Sequence, residues 1–260
     1  MIHYTDLGKG APIVLIHGYL ETSEVWDSFA RKLAVSFRVI AVDLPGHGKS
    51  DLISETQTME SMAGSILEVI ESLGLKKVFM TGHSLGGYVA LAFAELFPEM
   101  LSGYCLFHSH PLENSPDNIT KRESEIALVK AGKKDLIYPD NITRLFANDN
   151  LEKFASQLER SKKIASAIPG EAIAAVLNGM ILRPSRVHVM ESGKVPCLWI
   201  LGTKDNYINY EAVRKKVSLP ANAKLEILQN SGHIGFIEEE NLSLSIIKSF
   251  VGRLHDCMTA

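Results

Sequence analysis

Four short apolar runs punctuate the chain: Pro12–His17 (PIVLIH), Arg38–Val42 (RVIAV), Val78–Thr81 (VFMT) and Val195–Leu201 (VPCLWIL). Each is rich in Val or Ile or bounded by turn residues, the pattern of a strand buried on both faces. Gly103–Phe107 and Lys224–Leu228 are weaker strand candidates. Between them lie stretches with helical periodicity at Trp26–Ala34, Met59–Leu73, Leu85–Phe97 and Leu242–Leu254. In the second, Met62, Ile66, Val69, Ile70 and Leu73 recur at spacings of three and four, which places them on one apolar face. Strands that are apolar throughout, alternating with helices, predict a parallel sheet covered on both sides.

From about Pro111 to Ser192 this rhythm stops. The segment carries no convincing strand, but helical patterns recur at Lys121–Lys130, Leu151–Ala167 and Glu171–Leu182. Pro169-Gly170 separates the last two and Arg183-Pro184 ends the third. Acidic and basic residues nearly balance here, so the block is not a basic arm. A helical insertion between two strands is expected over the carboxyl end of the sheet, where such folds bind ligands.

Composition adds limits. A chain of 260 residues, 46% hydrophobic and 22% charged, fits one globular domain with room for an insertion. Its formal charge of −3 gives no field that would recruit nucleic acid or an anionic membrane, and suits a small neutral or weakly charged substrate. The three cysteines, Cys105, Cys197 and Cys257, cannot form a closed disulfide set. The first ten residues lack the pattern of a signal peptide, and no run approaches the roughly 20 apolar residues that span a bilayer. The location expected is cytoplasmic.

The chemistry gathers around Gly82-His83-Ser84-Leu85-Gly86-Gly87. The pattern G-x-S-x-G is common by itself, arising by chance in roughly one chain in ten of this length. Its position is what matters, because it follows a predicted strand and opens a predicted helix. Such a turn holds the central residue in a strained conformation, and the flanking glycines remove side chains that would clash. Ser84 is therefore the candidate nucleophile, and the Leu85 N–H at the helix start is a candidate donor to an oxyanion. A serine needs a base, and the base needs an orienting acid. In the expected chain order these are Asp205, in Gly202-Thr203-Lys204-Asp205, and His233, in Ser231-Gly232-His233. The second oxyanion donor is expected from the loop after Pro12–His17, as the backbone N–H of Tyr19. His17 is expected to brace that loop rather than serve as base.

Taken in order, His17-Gly18 with Trp26 downstream, Asp43-Leu44-Pro45-Gly46-His47-Gly48-Lys49-Ser50, the Ser84 motif, Gly202–Asp205 and Ser231–His233 resemble the α/β-hydrolase family. The resemblance implies a mostly parallel eight-stranded sheet flanked by helices, with a helical lid inserted after the sixth strand. The core would then comprise residues 1–110 and 193–260, and the lid residues 111–192. It also implies cofactor-free acyl transfer through an acyl-enzyme on Ser84, with Asp205 and His233 completing a triad. A Ser at position 84 departs from the relatives of this fold that carry a nucleophilic Asp, such as haloalkane dehalogenases and epoxide hydrolases. Leu85 departs from the Trp usual in proline iminopeptidases.

The function expected is hydrolysis of small carboxylic esters. Carbon–carbon hydrolysis, a lyase or a thioesterase would use the same triad, and a ligand sensor with residual activity is a rival of another class. Trp26, Phe107, His108 and Met180 are candidate substrate-binding residues, with Tyr19 and Leu112 as further pocket candidates, though core packing explains Trp26, Tyr19, Phe107, Leu112 and Met180 equally well. Gly48-Lys49-Ser50 ends like a phosphate-binding loop, but that pattern requires Gly where Asp43 stands. His108-Ser109-His110 is weak as a metal site, because no third ligand lies nearby in sequence. No metal, cofactor, nucleic acid or membrane is expected, only a small-molecule substrate.

Overall fold

In the computed structural model the backbone is described for residues 1–259 and the side chains for residues 1–254. The side chains of His255 and Cys257 lie outside the described residues. Seven strands form one sheet in the order β1-β3-β2-β4-β5-β6-β7. They are β1 (Tyr4–Leu7), β2 (Pro12–Ile16), β3 (Arg38–Val42), β4 (Val78–His83), β5 (Leu101–Phe107), β6 (Cys197–Gly202) and β7 (Ala223–Leu228). All neighbours run parallel except β1, which pairs antiparallel with β3 from Tyr4 opposite Val42 to Leu7 opposite Val39. All six strands expected from the apolar runs are present. The sheet has seven strands rather than eight, so the insertion follows the fifth strand and not the sixth.

The apolar runs explain the centre of the sheet. Every residue of β4 and β6 is buried, and only Pro12 in β2 and Ser102 in β5 are half-buried. β1 went unseen because its sequence, Tyr-Thr-Asp-Leu, has no apolar run. It is an edge strand with three of its four residues exposed, and an edge needs little apolar surface.

Around the sheet lie α1 (Asp27–Leu33), α2 (Met59–Ser72), α3 (Leu85–Leu96) and α11 (Glu240–Thr259). Helix α2 buries Met62, Ile66, Val69 and Ile70, as its spacing predicts, and packs on α3. Thr58 Oγ1 caps its start by accepting the Ser61 N–H at 3.1 Å. Short helices α9 (Tyr210–Arg214) and α10 (Gly235–Glu238) sit in the last loops. No single helix among the described residues is long and apolar enough to cross a membrane.

Between β5 and β6 run α4 (Pro116–Lys130), α5 (Tyr138–Thr143), α6 (Ala155–Ala167), α7 (Gly170–Leu182) and α8 (Val187–Glu191). Pro116 at the first helical position and the Ser115 hydroxyl, which accepts the Asn118 N–H, start α4 five residues before the apolar pattern does. At Pro169 the chain turns, and α6 and α7 meet at 96°. Helix α4 packs on α7.

Candidate active site

The turn from β4 into α3 is built by close approach. A Cβ on Gly82 would lie 2.1 Å from the Gly86 carbonyl oxygen, and one on Gly86 would lie 2.5 Å from that of Ile16. Only glycine lets the helix start this near the strand end. Between them Ser84 adopts φ 49° and ψ −110°, a strained conformation for a residue with a side chain. Its backbone is clamped on both sides: its N–H donates to Phe107 O at 3.0 Å and its carbonyl accepts the Ser109 hydroxyl at 2.8 Å. Leu85 opens α3, so its N–H has no intrahelical acceptor. The Tyr19 N–H likewise has no partner among the described residues.

His233 lies in the loop after β7, 28 residues beyond Asp205. Its Nδ1–H donates to Asp205 Oδ2 at 2.7 Å, which leaves Nε2 as the basic nitrogen. The Asp205 side chain has no exposed surface, and its Oδ1 accepts the N–H groups of Tyr207 and Ile208 at 2.7 and 2.9 Å. Burial alone would raise the Asp205 carboxyl. The neighbouring His233 and the hydrogen bonds the carboxylate accepts reverse this and hold it well below the usual carboxylate range. Ser84 and His233 line one cavity. Among the described residues no hydrogen bond joins their side chains, a contact that in an unliganded site often tightens only when substrate binds.

Behind His233 stands a second histidine pair, which the sequence did not announce. His83 is 1% exposed, and its Nδ1 lies 2.8 Å from Glu21 Oε2 and its Nε2 2.7 Å from the His233 carbonyl. A carbonyl only accepts, and so does a carboxylate, so both ring nitrogens carry protons and His83 is an imidazolium. Burial would lower it, but the Glu21 charge and hydrogen bond raise it instead. Burial would raise Glu21, but His83 carries it below its usual value. The same Glu21 oxygen accepts the Gly18 N–H at 2.6 Å, so one ion pair ties the loop bearing Tyr19 to the loop bearing His233. His17 braces the first loop as expected. Its Nδ1–H donates to Gly18 O at 2.8 Å, and its Nε2 accepts the Leu44 N–H at 2.9 Å.

Three of the expected substrate contacts are corrected. Trp26 and Phe107 are fully buried and do not line the cavity. They pack with Phe29 and Phe236, Trp26 lying 4.0 Å from the Phe236 ring centroid, because large apolar rings behind the sheet end complete the core. His108 is also fully buried and outside the cavity. With φ 46° it turns its ring behind the site, where Nε2 accepts the Gly235 N–H at 3.1 Å and Nδ1 stands 3.5 Å from Asp205 Oδ2. Burial holds His108 down at about 4, so it is neutral. Leu112 does not line the cavity either. Met180 and Tyr19 do, with Leu20, Tyr88, His110, Leu177 and Tyr207.

His108, Asp205 and His233 offer three ligand atoms within 4.8 Å of one another, the one such group among the described residues. His233 Nδ1 and the Asp205 carboxylate are taken up by hydrogen bonds, whereas His108 Nδ1 has no hydrogen-bond partner among the described residues. Because His108 Nε2 accepts a backbone N–H, its Nδ1 carries the proton, and a protonated nitrogen is no metal ligand. Asp43 is equally committed elsewhere, accepting the N–H groups of Ser23 and Lys49 at 2.7 and 3.0 Å. The Gly48-Lys49-Ser50 turn is thus folded on a carboxylate, not open to a phosphate.

A family model described as alpha/beta hydrolase fold matches residues 11–124. The structure is similar to that of a thermophilic esterase from Thermogutta terrifontis with malate bound. That match has TM-score 0.91 and 27% sequence identity, covering 98% of this chain and 94% of that one. An enol-lactonase from Burkholderia xenovorans shares the fold, with TM-score 0.88 and 22% identity over 96% of each chain. A 2-hydroxy-6-oxononadienedioate/2-hydroxy-6-oxononatrienedioate hydrolase of Burkholderia vietnamiensis is 27% identical over 257 residues, or 89% of this chain and 84% of its own. With the sheet topology above, these matches show that the chain has the α/β-hydrolase fold.

Proposed function

We propose that this hydrolase cleaves small carboxylic esters through an acyl-enzyme on Ser84. The observation that carries the reading is a strained serine at a helix start, sharing one cavity with a histidine that a buried aspartate orients. His233 Nε2 takes the hydroxyl proton as Ser84 Oγ bonds to the ester carbonyl carbon. The N–H groups of Tyr19 and Leu85 receive the developing oxyanion. His233 returns the proton to the leaving alkoxide as the carbon–oxygen bond breaks, giving free alcohol and acyl-Ser84. Water, deprotonated by His233, then attacks the acyl carbon, and the proton passes back to Ser84 as the acid leaves. Similarity to the Thermogutta esterase supports this choice of bond.

A second reading keeps the triad and changes the bond. The Burkholderia vietnamiensis relative is named as a hydrolase of a dienedioate, which favours carbon–carbon cleavage of an oxo acid. Rates on short p-nitrophenyl esters and on a 2-hydroxy-6-oxo-dienoate, with wild type and Ser84→Ala, separate the two. Ester hydrolysis should exceed that of the variant by at least about 10³-fold. Equal ester rates in both proteins sink the esterase reading, and turnover of the oxo acid alone replaces it with the second.

A further inference from the structure

On the cavity wall and just behind it stand two cations, Arg122 and Arg183, with no carboxylate partner among the described residues. Two arginines close by, Arg183 and Arg186, are 6% and 4% exposed, yet they are treated differently. Arg186 is paired with both Glu60 and Glu95, the latter at 2.9 Å. Arg183 has no carboxylate partner among the described residues. One nitrogen donates to the Leu112 carbonyl, and its Nε and Nη2 are buried without any partner. Its guanidinium lies 3.8 Å from the centroid of the Tyr88 ring, and Tyr88 lines the cavity. Arg122, on α4, lines the cavity directly, and it donates to the neutral Asn114 side chain.

The nearby carboxylates have other partners, Glu125 among them although it lines the cavity itself. Glu125 accepts from Tyr19 Oη at 3.1 Å and Asn141 Nδ2 at 3.0 Å, and it faces Lys121 at 3.7 Å. Asp205 serves His233, and Glu21 serves His83. His110, also on the cavity, is pushed down to about 3 by burial and then by Arg183 and Arg122, so it is neutral, with Nδ1 buried and unpartnered. Buried cations are retained where something pairs with them. A planar guanidinium with free donors is matched to a carboxylate.

We infer that the substrate carries a carboxylate of its own, received by Arg122 with Arg183 behind it, so that the preferred esters are half-esters of short dicarboxylic acids. The inference rests on the serine-esterase reading for its bond and on the cavity wall for its anion. Tyr88 follows Ser84 by one helical turn, about 6 Å of axial rise. The carboxylate therefore belongs a few bonds from the reacting carbonyl, as in a glutarate ester.

The test compares monoethyl glutarate with ethyl butyrate, followed by pH-stat with wild type, Ser84→Ala and Arg122→Gln. Wild type should favour the glutarate ester, and Arg122→Gln should lower the ratio of the two kcat/KM values by about 10–100-fold, the range for a hydrogen bond to a charged group. Free glutarate should raise the melting temperature of wild type and of Ser84→Ala more than butyrate does. A wild type that favours ethyl butyrate, or a ratio unchanged in Arg122→Gln, overturns the anion site while ester hydrolysis stands. If neither ester is turned over faster than by Ser84→Ala, the esterase reading fails instead. The melting shifts then decide the anion site, and equal shifts by glutarate and butyrate overturn it.

Discussion

The two walls of the cavity are made differently. On one side Tyr19, Ser84, Tyr207 and His233 come from loops that follow parallel strands, and the buried acids there are matched within the protein: Asp205 with His233, Glu21 with His83. On the other side Asn118, Lys121, Arg122 and Glu125 of α4, and Leu177 and Met180 of α7, come from the insertion, and among the described residues Arg122 and Arg183 are left without acids. A wall whose charges are internally satisfied can hold reacting groups still. A wall with charge to spare is completed by what it binds. The boundary between them does not follow the chain, however. Residues Arg144–Ala147 of the insertion are woven into the strand-end loops: His233 N–H donates to Leu145 O at 2.7 Å, and Asn206 Nδ2 donates to Phe146 O at 2.9 Å. A lid spanning all of 111–192 would have to break these bonds to move.

The sharpest way to break this division is Asp205→Asn. An amide cannot replace the carboxylate as sole acceptor toward two backbone N–H groups and the His233 Nδ1–H, so the imidazole loses its tautomer. In the proposed mechanism kcat on a p-nitrophenyl ester falls by about 10⁴-fold, with the circular dichroism spectrum unchanged. A loss below about tenfold would show that the rest of the frame, including His108, orients His233 without the acid, and the triad assignment would go.

The strand-end wall was legible because its signals are local. Glycines at 82 and 86 flank Ser84, apolar runs announce the strands, and the loops holding Asp205 and His233 follow them directly. The insertion wall was not, because a helix displays its neighbours only after it is packed. Nothing in Lys121-Arg122 distinguishes a cavity cation from a solvated one. Trp26 and Phe107 read equally well as pocket or core, and the core claimed both. Glu21 and His83 were missed for a related reason. Each looks like an ordinary loop or motif residue until 62 positions of chain are folded to bring them within 2.8 Å.

That pair supplies the next test. Removing one partner of a buried ion pair typically costs about 3–5 kcal/mol, so Glu21→Ala should lower the urea-unfolding free energy by about that much. The pH dependence follows from the directions of the shifts. His83 is raised in the folded protein, so its contribution is full below about 6.5 and is lost as pH rises through the higher folded value. Glu21 is lowered, so its contribution is full above its ordinary value of 4.5 and is lost as pH falls through the folded one. Stability from the pair is therefore greatest in the window between those two ordinary values. In Glu21→Gln the alkaline fall should flatten, since nothing then holds the proton on His83. An alkaline fall as steep as in wild type would show that some other group titrates.

The smallest expected effect probes the seam between the walls. Tyr207 comes from the loop after β6, yet its hydroxyl donates to Asn141 O in the insertion at 2.8 Å, and its ring lies 5.0 Å from that of His233. Tyr207→Phe keeps the ring against the histidine and removes only the hydroxyl. The lost hydrogen bond is worth about 0.5–1.5 kcal/mol, read as a shift in the urea midpoint at unchanged slope. Because the hydroxyl joins the walls and takes no part in the proposed proton transfers, kcat should change by less than about tenfold. A loss of about 10³-fold or more would move Tyr207 from the frame into the chemistry, and the strand-end wall would then hold a reacting group that its hydrogen bonding does not announce.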